Sequence, residues 1–177
     1  GGMACVNATA VLYEGDAAPL AHAIAERLAA LPDEVLPTTA SSTAYALSSH
    51  LARAAADAQP VLGADQVVAD RGNGRSVLRP AVHLLSTPDP ARLNVELPFP
   101  CVWVAPWTRD AGMDPLRNSL VLSLVTSDDD LIDRALAEPS VVNVYVGRVS
   151  TVHSAPHIPH EGFLADFLMR NKGFVRS

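Results

Sequence analysis

Two residues in this chain have side chains and surroundings suited to chemistry, Cys5 and Glu96. Cys5 stands in a Gly-led turn, Gly1-Gly2-Met3-Ala4-Cys5, directly ahead of an apolar stretch from Ala8 to Tyr13 that reads as a strand. A thiol reacts as its thiolate, and exposed backbone N–H groups at a turn favour that charge. Glycine admits the backbone angles such a turn needs. The plainer reading is a small buried hydrophobe, because free cysteine is among the most buried residue types. Glu96 lies in Val95-Glu96-Leu97-Pro98-Phe99-Pro100, ahead of a strand from Cys101 to Ala105. The two prolines deny the backbone a ladder of hydrogen bonds, so Glu96 and Phe99 are expected on a rigid, presented segment. Taken alone, a connecting loop with a solvated glutamate explains that stretch as well.

Composition bounds what these residues serve. A chain of 177 residues suffices for one well-buried domain, hiding roughly 70% of its unfolded surface, and is short for two. With 49% apolar and 18% charged residues the chain is expected to be globular rather than disordered. Thirteen basic against nineteen acidic side chains give a net charge of −6, which argues against nucleic acid and against anionic membranes as partners. No apolar run is long enough to cross a bilayer. Two cysteines, Cys5 and Cys101, make no disulfide framework, and a reducing cytoplasm is the expected compartment. The chain starts just ahead of Cys5, which suggests a domain cut from a longer polypeptide.

The remaining elements must position the two candidates. Asp16 reads as an N-cap for a helix through Leu31, with an apolar stripe of Leu20, Ile24, Leu28 and Leu31. Thr38 to Ala58 is alanine-rich and predicts a second helix, with Tyr45, Leu47 and Leu51 as its larger contacts and Pro60 as its stop. Gln66 to Asp70 and Ser76 to Leu85 flank Arg71-Gly72-Asn73-Gly74-Arg75, a hairpin signal; the turn lacks the lysine and helix of a phosphate cradle. Pro88 to Arg92 is irregular. Leu120 to Val125, Asp128 to Glu138 and Val141 to Val146 read as strand, helix and strand, a crossover unit that implies parallel strands. Gly162 to Met169 closes the chain as a short helix. The fold class expected is α/β, an open, mostly parallel sheet with helices on both faces.

Taken together, the spaced motifs resemble the catalytic domain of the aldehyde dehydrogenase superfamily. Gly2-Met3-Ala4-Cys5 is similar to its Gly-x-x-Cys nucleophile segment, and Glu96-Leu97-Pro98-Phe99-Pro100 to its Glu-x-Phe-Gly-Pro segment, with the two acting residues 91 positions apart. Asp128 to Ala137, Val142-Asn143-Val144-Tyr145 and His160 to Lys172 follow in the order of that family's acidic helix, late Asn-bearing strand and closing loop. The resemblance implies an NAD- or NADP-dependent oxidation of an aldehyde, or reduction of an acyl thioester in reverse. In it Cys5 is the nucleophile, Glu96 holds the nicotinamide ribose and Phe99 backs the nicotinamide ring. It also implies a homo-oligomer, and a dinucleotide-binding domain, general base and oxyanion-stabilising asparagine lying upstream of the single catalytic domain 1–177. The chain departs from the pattern chiefly where Pro98 stands in place of the family's aromatic and Phe99 in place of its glycine, and in a minor way at Met3, two residues before the nucleophile, where glutamine is frequent.

Other readings use other residues. His153 or His157 beside Cys5 would suit a cysteine hydrolase or acyltransferase, and a domain kept only for subunit assembly would need no chemistry at all. His153, His157 and His160 lack the spacing of a metal site, so no metal is expected. Cys101 reads as inert core, and Trp103 and Trp107 as packing residues.

Overall fold

In the computed structural model, which describes residues 4–158 together with 160, 162, 165, 168 and 176, the stretch ahead of Asp16 forms strand β1 (Ala10–Glu14). Helix α1 (Ala18–Ala29) follows, with Pro19 in its first turn and Asp16 Oδ1 accepting the Ala18 N–H at 3.0 Å. Its buried line is Ala21 and Ala25 rather than the leucines, with Ile24 and Leu28 packed at the margins and Leu31 beyond the helix and exposed. Alanine on the contact line lets the helix axis approach the sheet closely.

The predicted helix at 38–58 is trimmed at both ends. Thr38–Ala40 is strand β2, α2 spans Ser41–Ala54, and Gln59–Leu62 is strand β3. β-Branched Thr38 and Thr39 favour the extended form. Pro60 lies inside β3, which is the edge of its sheet, where a residue without an N–H is tolerated. Ala44 and Leu51 carry the buried face of α2, whereas Tyr45, expected as a contact, is 53% exposed.

The hairpin forms as read, from β4 (Val68–Asp70) and β5 (Arg75–Leu78), with Gly72 and Gly74 at positive φ. Its second arm does not continue to Leu85. The chain leaves at Arg79-Pro80, and Ala81–Leu84 becomes β6 in a different sheet. A short helix α3 (Pro90–Leu93), capped by Asp89, then precedes β7 (Cys101–Trp107).

These elements lie in a compact unit, Gly1–Pro115. Its main sheet has the order β1-β7-β6-β3, with β1 parallel to β7, β7 parallel to β6, and β3 antiparallel at the edge. A second sheet has the order β2-β5-β4. On one face of the main sheet Ala17, Ala21 and Ala25 pack against Val82 and Val104. On the other, Ala44 and Leu51 of α2 join Leu93, Phe99, Trp103 and Ala105 in the larger core. The sheet is thus covered on both faces and mostly parallel, the α/β class expected.

A second compact unit, Leu116–Ser177, contains β8 (Val121–Leu124), α4 (Asp129–Ala137) and β9 (Asn143–Val146), with β8 parallel to β9. Asp128 Oδ1 accepts the N–H groups of Asp130 (3.1 Å) and Leu131 (3.3 Å), and Leu131 and Ala135 are the buried line of α4. The crossover unit is therefore as the sequence predicts, while most of the predicted helix at 162–169 lies outside the described residues. Among the described residues no helix is long and apolar enough to cross a membrane.

Gly63 fixes the junction between β3 and β6. Its φ is +83°, and a Cβ there would meet the Pro80 carbonyl oxygen at 2.5 Å. Gly72 has a similar φ, +74°, with open space around it. Gly63→Ala should therefore destabilise the protein by at least about 2 kcal/mol, and Gly72→Ala by about 1 kcal/mol, the left-handed backbone cost alone. Denaturant unfolding midpoints measure the difference; equal losses would mean that Pro80 gives way.

Candidate active site

The Cys5 segment enters the main sheet through β1. Residues 4–7 form a turn closed by the Asn7 N–H to the Ala4 carbonyl at 2.9 Å, and the Cys5 side chain is exposed. Two residues later the Thr9 carbonyl accepts the Trp103 N–H at 2.9 Å, and from there Ala10 pairs with Trp103 and Glu14 with Trp107 in parallel register. The glycines of the motif, Gly1 and Gly2, lie outside the described residues.

The Glu96 segment enters the same sheet through the neighbouring strand. From 93 to 99 exposure alternates along the chain: Leu93, Leu97 and Phe99 are buried and Val95 is packed against the core, while Asn94, Glu96 and Pro98 face solvent. This is the two-residue period of a strand without a strand's ladder, because Pro98 and Pro100 supply no N–H. Glu96 is thereby turned outward, and among the described residues its carboxylate enters no hydrogen bond or ion pair. Phe99 is 1% exposed, with its ring in the core beside Trp103 and Leu51, so in this structure it presents no face to a cofactor. Asn94 and Pro98 share the outward face with Glu96.

Because β1 and β7 are adjacent and parallel, the segments leading into them lie at the same end of the sheet, each with its polar side chain exposed. A cleft of about 260 Å³ opens at that end too, on the far strands, lined by Leu31, Leu36, Leu62, Gly63, Arg79 and Pro80. Asp33 at its wall accepts from Arg79 Nε (3.2 Å) and Nη2 (3.1 Å) and from Arg71 Nη2 (2.8 Å). The hydrogen bonds from Arg79, with the charges of both guanidiniums, hold the Asp33 carboxyl below its ordinary range. Both arginines are engaged with that carboxylate.

The other sequence candidates take structural places. Cys101 is 8% exposed, and burial pushes its thiol up to about 12, which keeps it protonated and inert. Trp107 Nε1–H donates to the Gly112 carbonyl at 3.2 Å. In the second unit the Asn143 side chain donates to the carbonyls of Leu120 (3.2 Å) and His160 (3.0 Å), and the Tyr145 hydroxyl to that of His153 (3.1 Å), so the histidine loop is tied to β9. Among the described residues no group of three or more His, Cys, Asp or Glu side chains could hold a metal ion.

His83 carried no signal in the sequence. It pairs with Trp103 across β6 and β7, is 3% exposed, and stacks at 5.3 Å and 38° on the Trp103 ring. Among the described residues its Nδ1 has no hydrogen-bond partner. Only the tertiary fold shows that this histidine is buried, since a single polar residue in Ala81-Val82-His83-Leu84 is equally compatible with an exposed position.

The fold is α/β, and its structural neighbours are aldehyde dehydrogenase domains. The chain is similar to a mutant form of 1-pyrroline-5-carboxylate dehydrogenase of Thermus thermophilus at 19% identity and a TM-score of 0.68 over 92% of this chain and 33% of that one. It is similar to an aldehyde dehydrogenase from Bartonella henselae at 20% identity and a TM-score of 0.57 over 84% and 33%. It is also similar to a 3,6-anhydro-L-galactose dehydrogenase in complex with NAP, at 21% identity and a TM-score of 0.50 over 65% and 25%. The chain spans between a quarter and a third of the length of these structures. No family model matches the sequence, and no curated protein does.

Burial lowers the His83 pKa from its ordinary 6.5, so the folded protein holds the ring neutral. Above pH 6.5 the folded and unfolded chains then bind the same number of protons at this site. As the pH falls below that value the unfolded chain takes up a proton that the folded one refuses, and stability drops until the folded-state pKa is passed. Unfolding midpoints measured down a pH series should fall less steeply below pH 6.5 for His83→Phe than for the parent; parallel slopes would show that His83 is not the group responsible.

Proposed function

We propose that this chain supplies the nucleophile and one wall of the cofactor site in an NAD- or NADP-dependent aldehyde dehydrogenase. The observation that carries the reading is the parallel pairing of β1 with β7, which brings the exposed Cys5 and Glu96 segments to one end of the sheet. The aldehyde dehydrogenase fold of the neighbours supports it, and one of them is a complex with NAP. The length of those neighbours supports a longer parent chain, with the dinucleotide-binding domain upstream of 1–177 as a single catalytic domain. A cytoplasmic homo-oligomer acting on a small aldehyde completes the reading.

A thiolate at Cys5 adds to the carbonyl carbon of the aldehyde, making a C–S bond and leaving the electron pair on oxygen. Backbone N–H groups around the turn at 4–7 face that developing oxyanion in this reading. A bound nicotinamide nucleotide would supply the acceptor for hydride from that adduct, which would leave an acyl thioester on Cys5. Water or a thiol such as coenzyme A then takes the acyl group and frees the sulfur. Glu96 is the residue of this chain fitted to hold the nucleotide: an outward carboxylate without a protein partner among the described residues accepts hydrogen bonds from ribose hydroxyls. Phe99 anchors the Glu96 segment from the core instead of backing the nicotinamide ring, and Pro98 occupies the position on Glu96's own face.

In the full-length protein, assayed with a panel of aldehydes and both nucleotides, Cys5→Ser should lower turnover by roughly a thousandfold or more while leaving nucleotide binding intact. Glu96→Gln should raise the KM for the nucleotide. Turnover that survives loss of the Cys5 thiol, or a parent protein that binds neither NAD nor NADP, sinks this assignment.

A further inference from the structure

The segment bearing Glu96 has apolar anchors but few directional ones. Leu93, Leu97 and Phe99 hold its depth in the core, yet hydrophobic contact is non-directional and does not by itself fix the orientation of the residues between. At one end Val95 N–H donates to the Arg92 carbonyl at 2.9 Å, and at the other the Pro100 carbonyl accepts from Ala81 N–H at 2.9 Å. Between them, among the described residues, Glu96, Leu97 and Phe99 make no backbone–backbone hydrogen bond, and Pro98 has no N–H to give.

One side chain supplies the missing direction. Trp103 Nε1–H donates to the Val95 carbonyl at 3.2 Å, the acceptor immediately before Glu96. The indole is fully buried, and the His83 ring stacks on it at 5.3 Å, so the direction of its N–H is set by packing. The backbone N–H of the same residue donates to the Thr9 carbonyl, at the start of the strand that Cys5 leads into. A single residue therefore grips both lead-in segments, one through its main chain and the other through its side chain.

We propose that Trp103 is the positioning residue that sets the Glu96 segment relative to the Cys5 segment. Its effect on nucleotide binding rests on the dehydrogenase reading above; its grip on the segment does not. The test uses the full-length protein, Trp103→Phe, which removes the N–H, and Leu51→Ala, which loosens the same core without touching that hydrogen bond. NAD and NADP are the probes. Trp103→Phe should weaken binding of the preferred nucleotide roughly three- to tenfold, the worth of one hydrogen bond, with Leu51→Ala unchanged. Combining Trp103→Phe with Glu96→Gln should weaken binding no further than Glu96→Gln alone, because both act through one carboxylate. Additive losses, or equal losses in Trp103→Phe and Leu51→Ala, would overturn the positioning role.

A second readout separates this inference from the assignment of function. Cleavage after Glu96 by a glutamate-specific protease under native conditions should run several-fold faster in Trp103→Phe than in Leu51→Ala. If neither nucleotide binds the parent, or if Glu96→Gln binds as the parent does, the cofactor reading falls and this comparison alone decides. Faster cleavage in Trp103→Phe then upholds the anchor, and equal cleavage in the two variants overturns it.

Discussion

The parallel pairing of β1 with β7 is the constraint on which the rest depends. Parallel neighbours start from the same end of a sheet, so whatever precedes each strand is delivered to that end however far apart the segments lie in sequence. Cys5 and Glu96 are 91 positions apart, yet closing so long an excursion adds only about 0.6 kcal/mol for each doubling of its length. The demand falls instead on coverage. A parallel sheet needs crossover connections and apolar material on both faces, and α1 supplies one face while α2 and the 93–99 segment supply the other. Much of the chain between the two candidates is accordingly sheet and cover.

The 93–99 segment shows how a residue can be presented without a strand. Its alternation puts one set of side chains into the core and leaves the other in solvent, so the parity of a position decides its role. Glu96 and Pro98 share a parity and Phe99 has the opposite one. Parity therefore decides the aromatic's place: at 99 it falls in the core, whereas at 98 it would face solvent. The Phe99 ring is part of the packing beneath the glutamate. Prolines fit that arrangement, because they stiffen a stretch whose backbone has no ladder to join.

The sequence was legible where local pattern and tertiary structure agree. Leu120 to Val146 reads as strand, helix and strand because Asp128 caps, Leu131 and Ala135 keep helical spacing, and the flanking strands are short apolar runs; the hairpin at 68–78 is legible because Gly72 and Gly74 must turn there. Where partners decide, the pattern fails. Thr38–Ala40 extends because β5 lies beside it, and Pro60 joins an edge strand though proline is a sound helix stop. The run Ser76 to Leu85 is divided between two sheets at Arg79-Pro80, where Gly63 of the neighbouring strand end lies against the Pro80 carbonyl. The prolines around Glu96 pointed to a presented segment, whereas for Cys5 the sequence left a turn and a buried hydrophobe both open, and the structure places its side chain in solvent. The inward turn of Phe99 and the burial of His83 depend on which strands are neighbours, and a sequence without its pairing does not carry that.

The two cysteines show the same dependence within a single residue type. Cys101 is the first residue of β7, paired with Ala81, and the core that receives Phe99 and Trp103 also encloses its sulfur. Burial there raises the cost of the thiolate until the side chain is simply a small apolar filler. Cys5 is held outside the sheet by the turn at 4–7 and reaches solvent. Cys101 lies in one of two strands that the register holds side by side and Cys5 precedes the other, with a few residues of backbone between it and the ladder. Exposure is thus decided by where each segment crosses from turn to sheet, and the hydrogen bond from Trp103 N–H to the Thr9 carbonyl marks that crossing for the strand behind Cys5.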